Sequence, residues 1–211
     1  MTAIAVTPIA AQLANTGFPA ILIRPEDPAW DEPAPAQFRV AFLTSRGEFV
    51  IEVHREWAPR GADRFHNLVR HGFYDDVRIN RVVPGFIAQW GVSGHPAVTR
   101  VWKSNVIPDD SVRQSNLRGF IAFAMTGPDT RTTQVFISLV DNARLDAQGF
   151  APFGRVIRAM DVVDVLYGGY GEDAGGGVRA GRQGPIEAEG NAWLDREYPL
   201  LDRIIRARIV R

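Results

Sequence analysis

The chain predicts a mainly β fold: a closed antiparallel barrel of about eight strands capped by two α-helices, with an N-terminal arm and a glycine-rich excursion near the C-terminus. Three observations carry this expectation. Short segments of apolar/polar alternation recur along the chain. Two main stretches, 58–72 and 159–167, read instead as helices. The last segment alternates again, with Ile205, Ala207 and Ile209 against Arg206 and Arg208, which suits a final strand closing the sheet against the first.

Residues 1–36 read as an arm and a linker. Residues 3–14 are small and uncharged, like the remnant of a signal sequence, but the first basic residue is Arg24 and Pro8 interrupts the run. The stretch is too short to span a bilayer, so the compartment stays open between export and the cytoplasm. Four prolines between 25 and 36 predict an extended linker.

Residues 37–211 read as one domain. Phe38, Val40 and Phe42 share one strand face; after the turn Ser45-Arg46-Gly47, Phe49, Ile51 and Val53 share another, which makes a hairpin with one face in a core. Ala58, Ala62, Phe65 and Val69 then recur at helical spacing, with Pro59 in the first turn and Gly72 as a stop. Short strands are expected near 77–83 and 86–90, separated by Pro84-Gly85, followed by an irregular stretch from 92 to 118. Strands follow at 119–125, 134–139 and 153–157, then the helix 159–167. Eight glycines between 168 and 184 predict a flexible loop. Helical character returns at 190–198 before Pro199, so 168–203 reads as a glycine-rich loop and short helix before the last strand.

Composition narrows the chemistry. The 24 basic residues balance 24 acidic ones and are spread along the chain, which leaves no electrostatic footprint for nucleic acid. Lys103 is the only lysine, a coding bias toward arginine. The absence of cysteine removes disulfides, thiol catalysis and cysteine-based zinc sites. His54, His66, His71 and His95 lack metalloprotease spacing, and Gly175-Gly176-Gly177 lacks the Gly-Lys-Ser/Thr of a phosphate loop. Asp75-Asp76 and Asp109-Asp110 read as turn residues or helix caps. No cofactor or metal is expected.

The segment Arg81-Val82-Val83-Pro84-Gly85-Phe86-Ile87-Ala88-Gln89 and the later Gln134-Val135-Phe136-Ile137 place one arginine, two glutamines and two phenylalanines in a β-rich region. Alternation in the second puts Val135, Ile137 and Leu139 on a core face and Gln134, Phe136 and Ser138 on the other. An aromatic ring beside an amide is odd on a solvent face and suits a groove. Such a set can hold an apolar side chain and hydrogen-bond a peptide backbone.

These motifs resemble the cyclophilin family of peptidyl-prolyl cis-trans isomerases. The family pattern Arg-Val-x-Pro-x-Phe-x-x-Gln is matched by Arg81, Val82, Pro84, Phe86 and Gln89. Gly-Pro-x-Thr-x-x-x-Gln-x-Phe is matched by Gly127, Pro128, Thr130, Gln134 and Phe136, and Leu-Asp before Phe-Gly-x-Val by Leu145, Asp146, Phe153, Gly154 and Val156. The resemblance covers roughly residues 38–167. Departures lie at Ile79-Asn80 before the arginine, at Trp90 after Gln89, and at Met125, Arg144 and Phe150, where the family usually carries other residues.

The resemblance implies a cyclophilin-like barrel, no cofactor, and proline-containing peptides or unfolded proteins as clients, with no transmembrane span. It implies Arg81 and Gln89 as catalytic residues. Phe86, Ile87, Phe136 and Leu145 would form a proline pocket. Gln134 and the Ala124 backbone would anchor the peptide, and Met125, Phe150, Arg144 and Trp90 would complete the binding rim. A second reading is a peptide-binding module of low activity within a larger assembly, contacting a protein partner through the arm or the glycine-rich loop.

Overall fold

The computed structural model describes residues 18–175 and 183–211; the arm at 1–17, with its signal-like stretch, and residues 176–182 of the glycine-rich segment lie outside them. Eight strands form one antiparallel sheet: β1 (Gln37–Thr44), β2 (Gly47–His54), β3 (Arg81–Val83), β4 (Ile87–Trp90), β5 (Phe120–Phe123), β6 (Val135–Ser138), β7 (Pro152–Arg158) and β8 (Ile204–Val210). Their order is β3-β4-β6-β5-β7-β2-β1-β8. As expected from its alternation, β8 pairs with β1, from Arg39 opposite Val210 to Thr44 opposite Ile204.

The sheet is curled and open, where a closed barrel was expected. Its edge strands β3 and β8 share no ladder; the chain just before each meets at a single bridge, Arg78 to Arg203. Two flanking backbone bonds support that bridge, Ile79 N–H to Asp202 O and Ile204 N–H to Val77 O, each 2.8 Å. β3 is too short to extend the pairing, and the buried Arg78 turns its guanidinium to Asp76 and Asp195.

The core lies inside the curl. Cross-strand partners Phe42 and Phe49 stack at 5.2 Å, and Trp90, Phe65, Phe123, Val135, Ile137 and Phe153 fill the space around them. Helix α1 (Pro59–Arg70) buries Ala62, Phe65, Leu68 and Val69 against this core. Ala58 supplies no side-chain cap to it. The orphan N–H groups of Arg60 and Gly61 go instead to the Asp110 carboxylate, at 3.0 and 2.8 Å. Asp110 also accepts from the buried Arg131 at 3.1 Å, so this aspartate caps a remote helix and neutralises a buried cation.

The supposedly irregular 92–118 stretch contains α2 (Pro96–Trp102), and α3 is shorter than expected at Met160–Asp164. Two further helices, α4 (Gln183–Glu189) and α5 (Asn191–Glu197), precede β8. The proline-rich segment is no extended linker. Pro28–Trp30 forms a 3-10 turn capped by Asp27, and Trp30 is buried edge-on against Trp102 at 4.6 Å. Asn67 on α1 donates to the Trp30 and Glu32 carbonyls, both at 2.8 Å, and fastens this strap to the domain. Among the described residues no helix is long and apolar enough to cross a membrane.

Candidate functional site

The outer faces of β3, β4, β6 and β5 build a groove. Register places Arg81 opposite Gln89, Gln89 opposite Phe136, and Phe136 opposite Ala122, so these side chains share one face. Their neighbours Ala88, Trp90, Val135 and Ile137 point to the core. The pleat therefore separates a binding face from a packing face on the same strands.

Ile87, Ala122, Phe136 and Leu145 form an apolar cluster of their own, joined by the partly buried Phe86, Ala124 and Phe150. Phe136 and Phe150 meet edge to face at 5.5 Å. A cavity of about 620 Å³ opens over this cluster, lined also by Arg81, Met125, Arg144 and Glu172. A second cavity of about 310 Å³ takes Gln89, Ala124 and Gln134 into its wall, and Met125 borders both.

A polar relay runs along the lip. Arg81 Nη1 donates to Gln89 Oε1 at 2.8 Å, and Gln89 Nε2 donates to Gln134 Oε1 at 2.9 Å. On its other edge Arg81 donates through Nε and Nη2 to Glu172 Oε1, the former at 3.1 Å. Its guanidinium carbon lies 5.8 Å from the Phe86 ring centre, and that of the exposed Arg144 lies 4.8 Å from the same ring.

The loops bearing the apolar residues are fixed from behind. The Phe86 carbonyl accepts from Leu139 N–H and Asn142 Nδ2, each at 2.9 Å. Leu145 sits on a 3-10 turn, Ala143–Gln148, that ends at the left-handed Gly149. Below it, the Asp146 carboxylate accepts from Ser115 Oγ at 2.5 Å, Asn116 N–H at 2.9 Å and Asn116 Nδ2 at 2.7 Å. Burial pushes the Asp146 pKa up, but these donors outweigh it and hold the carboxyl below its ordinary value. Gly91, just after β4, permits a close crossing: a Cβ there would stand 2.4 Å from the Thr133 carbonyl oxygen.

Thus Arg81, Phe86, Ile87, Met125, Phe136, Arg144, Leu145 and Phe150 converge on one cavity, and Gln89, Ala124 and Gln134 on its neighbour. Trp90 does not join them. It is fully buried among the core rings, 5.5 Å from Phe42 and 6.4 Å from Phe49. One step along a strand reverses the face, so adjacency to Gln89 sends it inward. Glu172 was not anticipated: it reaches Arg81 across 91 residues from the glycine-rich segment, and no local pattern marks it.

The family described as cyclophilin type peptidyl-prolyl cis-trans isomerase/CLD matches residues 39–177. The chain is 35% identical over 136 residues to a peptidyl-prolyl cis-trans isomerase of Acinetobacter baylyi, a match spanning 62% of this chain and 72% of that protein. It is 32% identical over 137 residues to peptidyl-prolyl cis-trans isomerase B of Escherichia coli, spanning 61% and 84% respectively. In fold it is similar to a crystal structure of a Cryptosporidium parvum cyclophilin type peptidyl-prolyl cis-trans isomerase, with TM-score 0.60 and 18% identity over 83% of this chain and 98% of that one. The chain belongs to the cyclophilin-type peptidyl-prolyl cis-trans isomerase family.

Proposed function

We propose that the groove isomerises X-Pro peptide bonds in peptides and unfolded proteins, with Arg81 as the catalytic cation. The observation that carries this reading is the placement of Arg81 at the lip of an apolar pocket, with Gln89 bonded to it at 2.8 Å. Rotation about an amide faces a barrier of about 18–20 kcal/mol because the nitrogen lone pair is delocalised into the carbonyl. In the twisted transition state the lone pair localises on the proline nitrogen, which becomes a hydrogen-bond acceptor. A guanidinium N–H directed at it stabilises that state over either planar form.

Phe86, Ile87, Phe136 and Leu145 take the proline ring, and Phe150 closes one side. Gln89 holds Arg81 in place. Gln134 and the Ala124 carbonyl bind the peptide backbone beyond the pocket, and Met125 divides the ring subsite from that stretch. Arginine suits the role because it stays charged and presents its donors in a rigid plane. A hydrogen bond from a charged group contributes about 1.5–3 kcal/mol, a factor of roughly 10 to 150 in rate. Residues 37–211 make up the catalytic domain.

A binding module of low activity would need no cation at the pocket lip, so the Arg81–Gln89 pair supports the enzyme. The test is a protease-coupled isomerisation assay on an Ala-Xaa-Pro-Phe peptide series. Acceleration proportional to protein concentration is expected. Saturable peptide binding without acceleration would favour the module.

A further inference from the structure

Glu172 belongs to the segment after α3 and lines the same cavity as the proline pocket. Its Oε1 accepts from both Nε and Nη2 of Arg81, while Nη1 serves Gln89. A guanidinium has five N–H donors; this arrangement leaves one on each terminal nitrogen. The Arg81 side chain is 16% exposed and that of Glu172 42%, so the carboxylate forms the solvent side of the pair.

The backbone on both sides of Glu172 is anchored. Gly168 seats against Pro84, where a Cβ would come within 2.8 Å of the proline ring. Tyr170 packs edge-on against Tyr167 at 5.0 Å and Tyr198 at 5.1 Å. The Asp173 carbonyl accepts from Tyr198 Oη at 2.7 Å, and Ala174 is fully buried beside Val92, Ile186 and Leu194. The glycine-rich segment is thus pinned before and after Glu172, which it presents to Arg81.

Resting on the isomerase reading, we infer that Glu172 is a specificity-determining residue that selects prolines flanked by a basic side chain. Paired with Glu172, Arg81 offers an incoming peptide a partly neutralised guanidinium. A lysine or arginine next to the proline can take over the half-exposed carboxylate, which releases the Nε and Nη2 edge of Arg81 toward the X-Pro bond. A neutral neighbour leaves the pair closed, and an acidic neighbour is repelled by the carboxylate.

The experiment compares kcat/KM for proline peptides differing only in Lys, Gln or Glu, placed either before or after the proline. In at least one series the wild-type protein should turn over the Lys peptide about five- to tenfold faster than the Glu peptide, since attraction of the one and repulsion of the other each contribute on the scale of a partly exposed ion pair, and added salt should shrink the ratio. Glu172→Gln should bring the ratio near unity and raise turnover of the Gln peptide several-fold; Glu172→Lys should invert the ratio. An unchanged ratio in Glu172→Gln overturns the inference, as does an equal loss on all three peptides, which would make Glu172 a mere brace for Arg81. If Arg81→Ala abolishes turnover while Glu172→Gln leaves the ratio unchanged, only this inference fails. If no form of the protein turns over any peptide, the isomerase reading fails with it.

Discussion

Gln89 and Arg81 face each other across the β3–β4 pair, and the amide oxygen of one accepts from Nη1 of the other at 2.8 Å. The same amide donates onward to Gln134 at 2.9 Å, which fixes its orientation. Gln89 is 5% exposed, so this contact is shielded from competing water. The cation is therefore set by sheet register, and a long flexible side chain is converted into a positioned donor.

Removing that amide should loosen Arg81 without disturbing the core. Gln89→Ala is expected to lower kcat/KM about tenfold, the scale of one hydrogen bond to a charged group, with most of the loss in kcat. Peptide kinetics beside a thermal melt would check it. Wild-type turnover in the variant would show that the amide does not position the cation.

Trp90 should matter for stability and not for peptide binding. Its ring is fully buried and its indole Nε1 has no hydrogen-bond partner among the described residues. Trp90→Phe therefore loses packing but no polar contact, at a cost of about 1–2 kcal/mol. Urea denaturation should record that loss while KM for a proline peptide stays within about twofold. A large rise in KM at unchanged stability would place the ring in the groove.

These two residues show what was legible in the sequence. The period of two along Gln134–Leu139 separated Phe136 from Val135 and Ile137, because an aromatic on an apparent solvent face demands a reason. Trp90 follows Gln89 directly, and the same alternation that turns Gln89 to the groove face turns Trp90 into the core. Helix α2 was hidden because Val98, Thr99 and Val101 are weak helix formers. Its place depends on tertiary contacts, among them Trp102 Nε1 donating to the Leu22 carbonyl at 2.7 Å. Trp30 was lost among prolines for a similar reason: its burial depends on α1 and α2. Glu172 meets Arg81 only because the segment after α3 folds back over the β3–β4 turn.

Asp110 should prove a structural keystone. It accepts from two N–H groups at the start of α1 and from Arg131, itself 2% exposed. Asp110→Ala leaves a buried cation undercompensated and a helix uncapped, so a loss of about 3 kcal/mol is expected. Chemical denaturation would measure it. A loss below about 1 kcal/mol would mean that Asp109, whose carboxylate lies 3.1 Å from Arg131 Nε, substitutes for it.

Asp146 predicts a pH effect on the loop carrying Leu145. Its pKa is below the ordinary value of 3.8, with the Ser115 and Asn116 donors overcoming burial. A depressed carboxyl pKa adds stability that is fully present above 3.8 and is lost as pH falls through the lower folded value. Asp146→Asn should cost about 1–3 kcal/mol at neutral pH, and the gap to wild type should narrow as acid protonates Asp146. Melting curves across that range would check it; a gap that stays constant would detach the carboxylate from the effect.

The most direct measurement is the isomerisation rate of Arg81→Ala and Arg81→Lys beside the wild type, each shown to be folded by circular dichroism. Arg81 lies at the groove lip, and its loss leaves behind a Glu172 side chain that is 42% exposed. Both variants should keep the wild-type spectrum, and Arg81→Ala should melt somewhat lower, by about 1–3 kcal/mol of stability, because the 5% exposed Gln89 amide oxygen loses its donor. Turnover should fall at least about tenfold in Arg81→Ala and recover little in Arg81→Lys, since an ammonium lacks the planar fork. Folded Arg81→Ala protein with wild-type turnover would contradict the assignment of Arg81 as the catalytic cation.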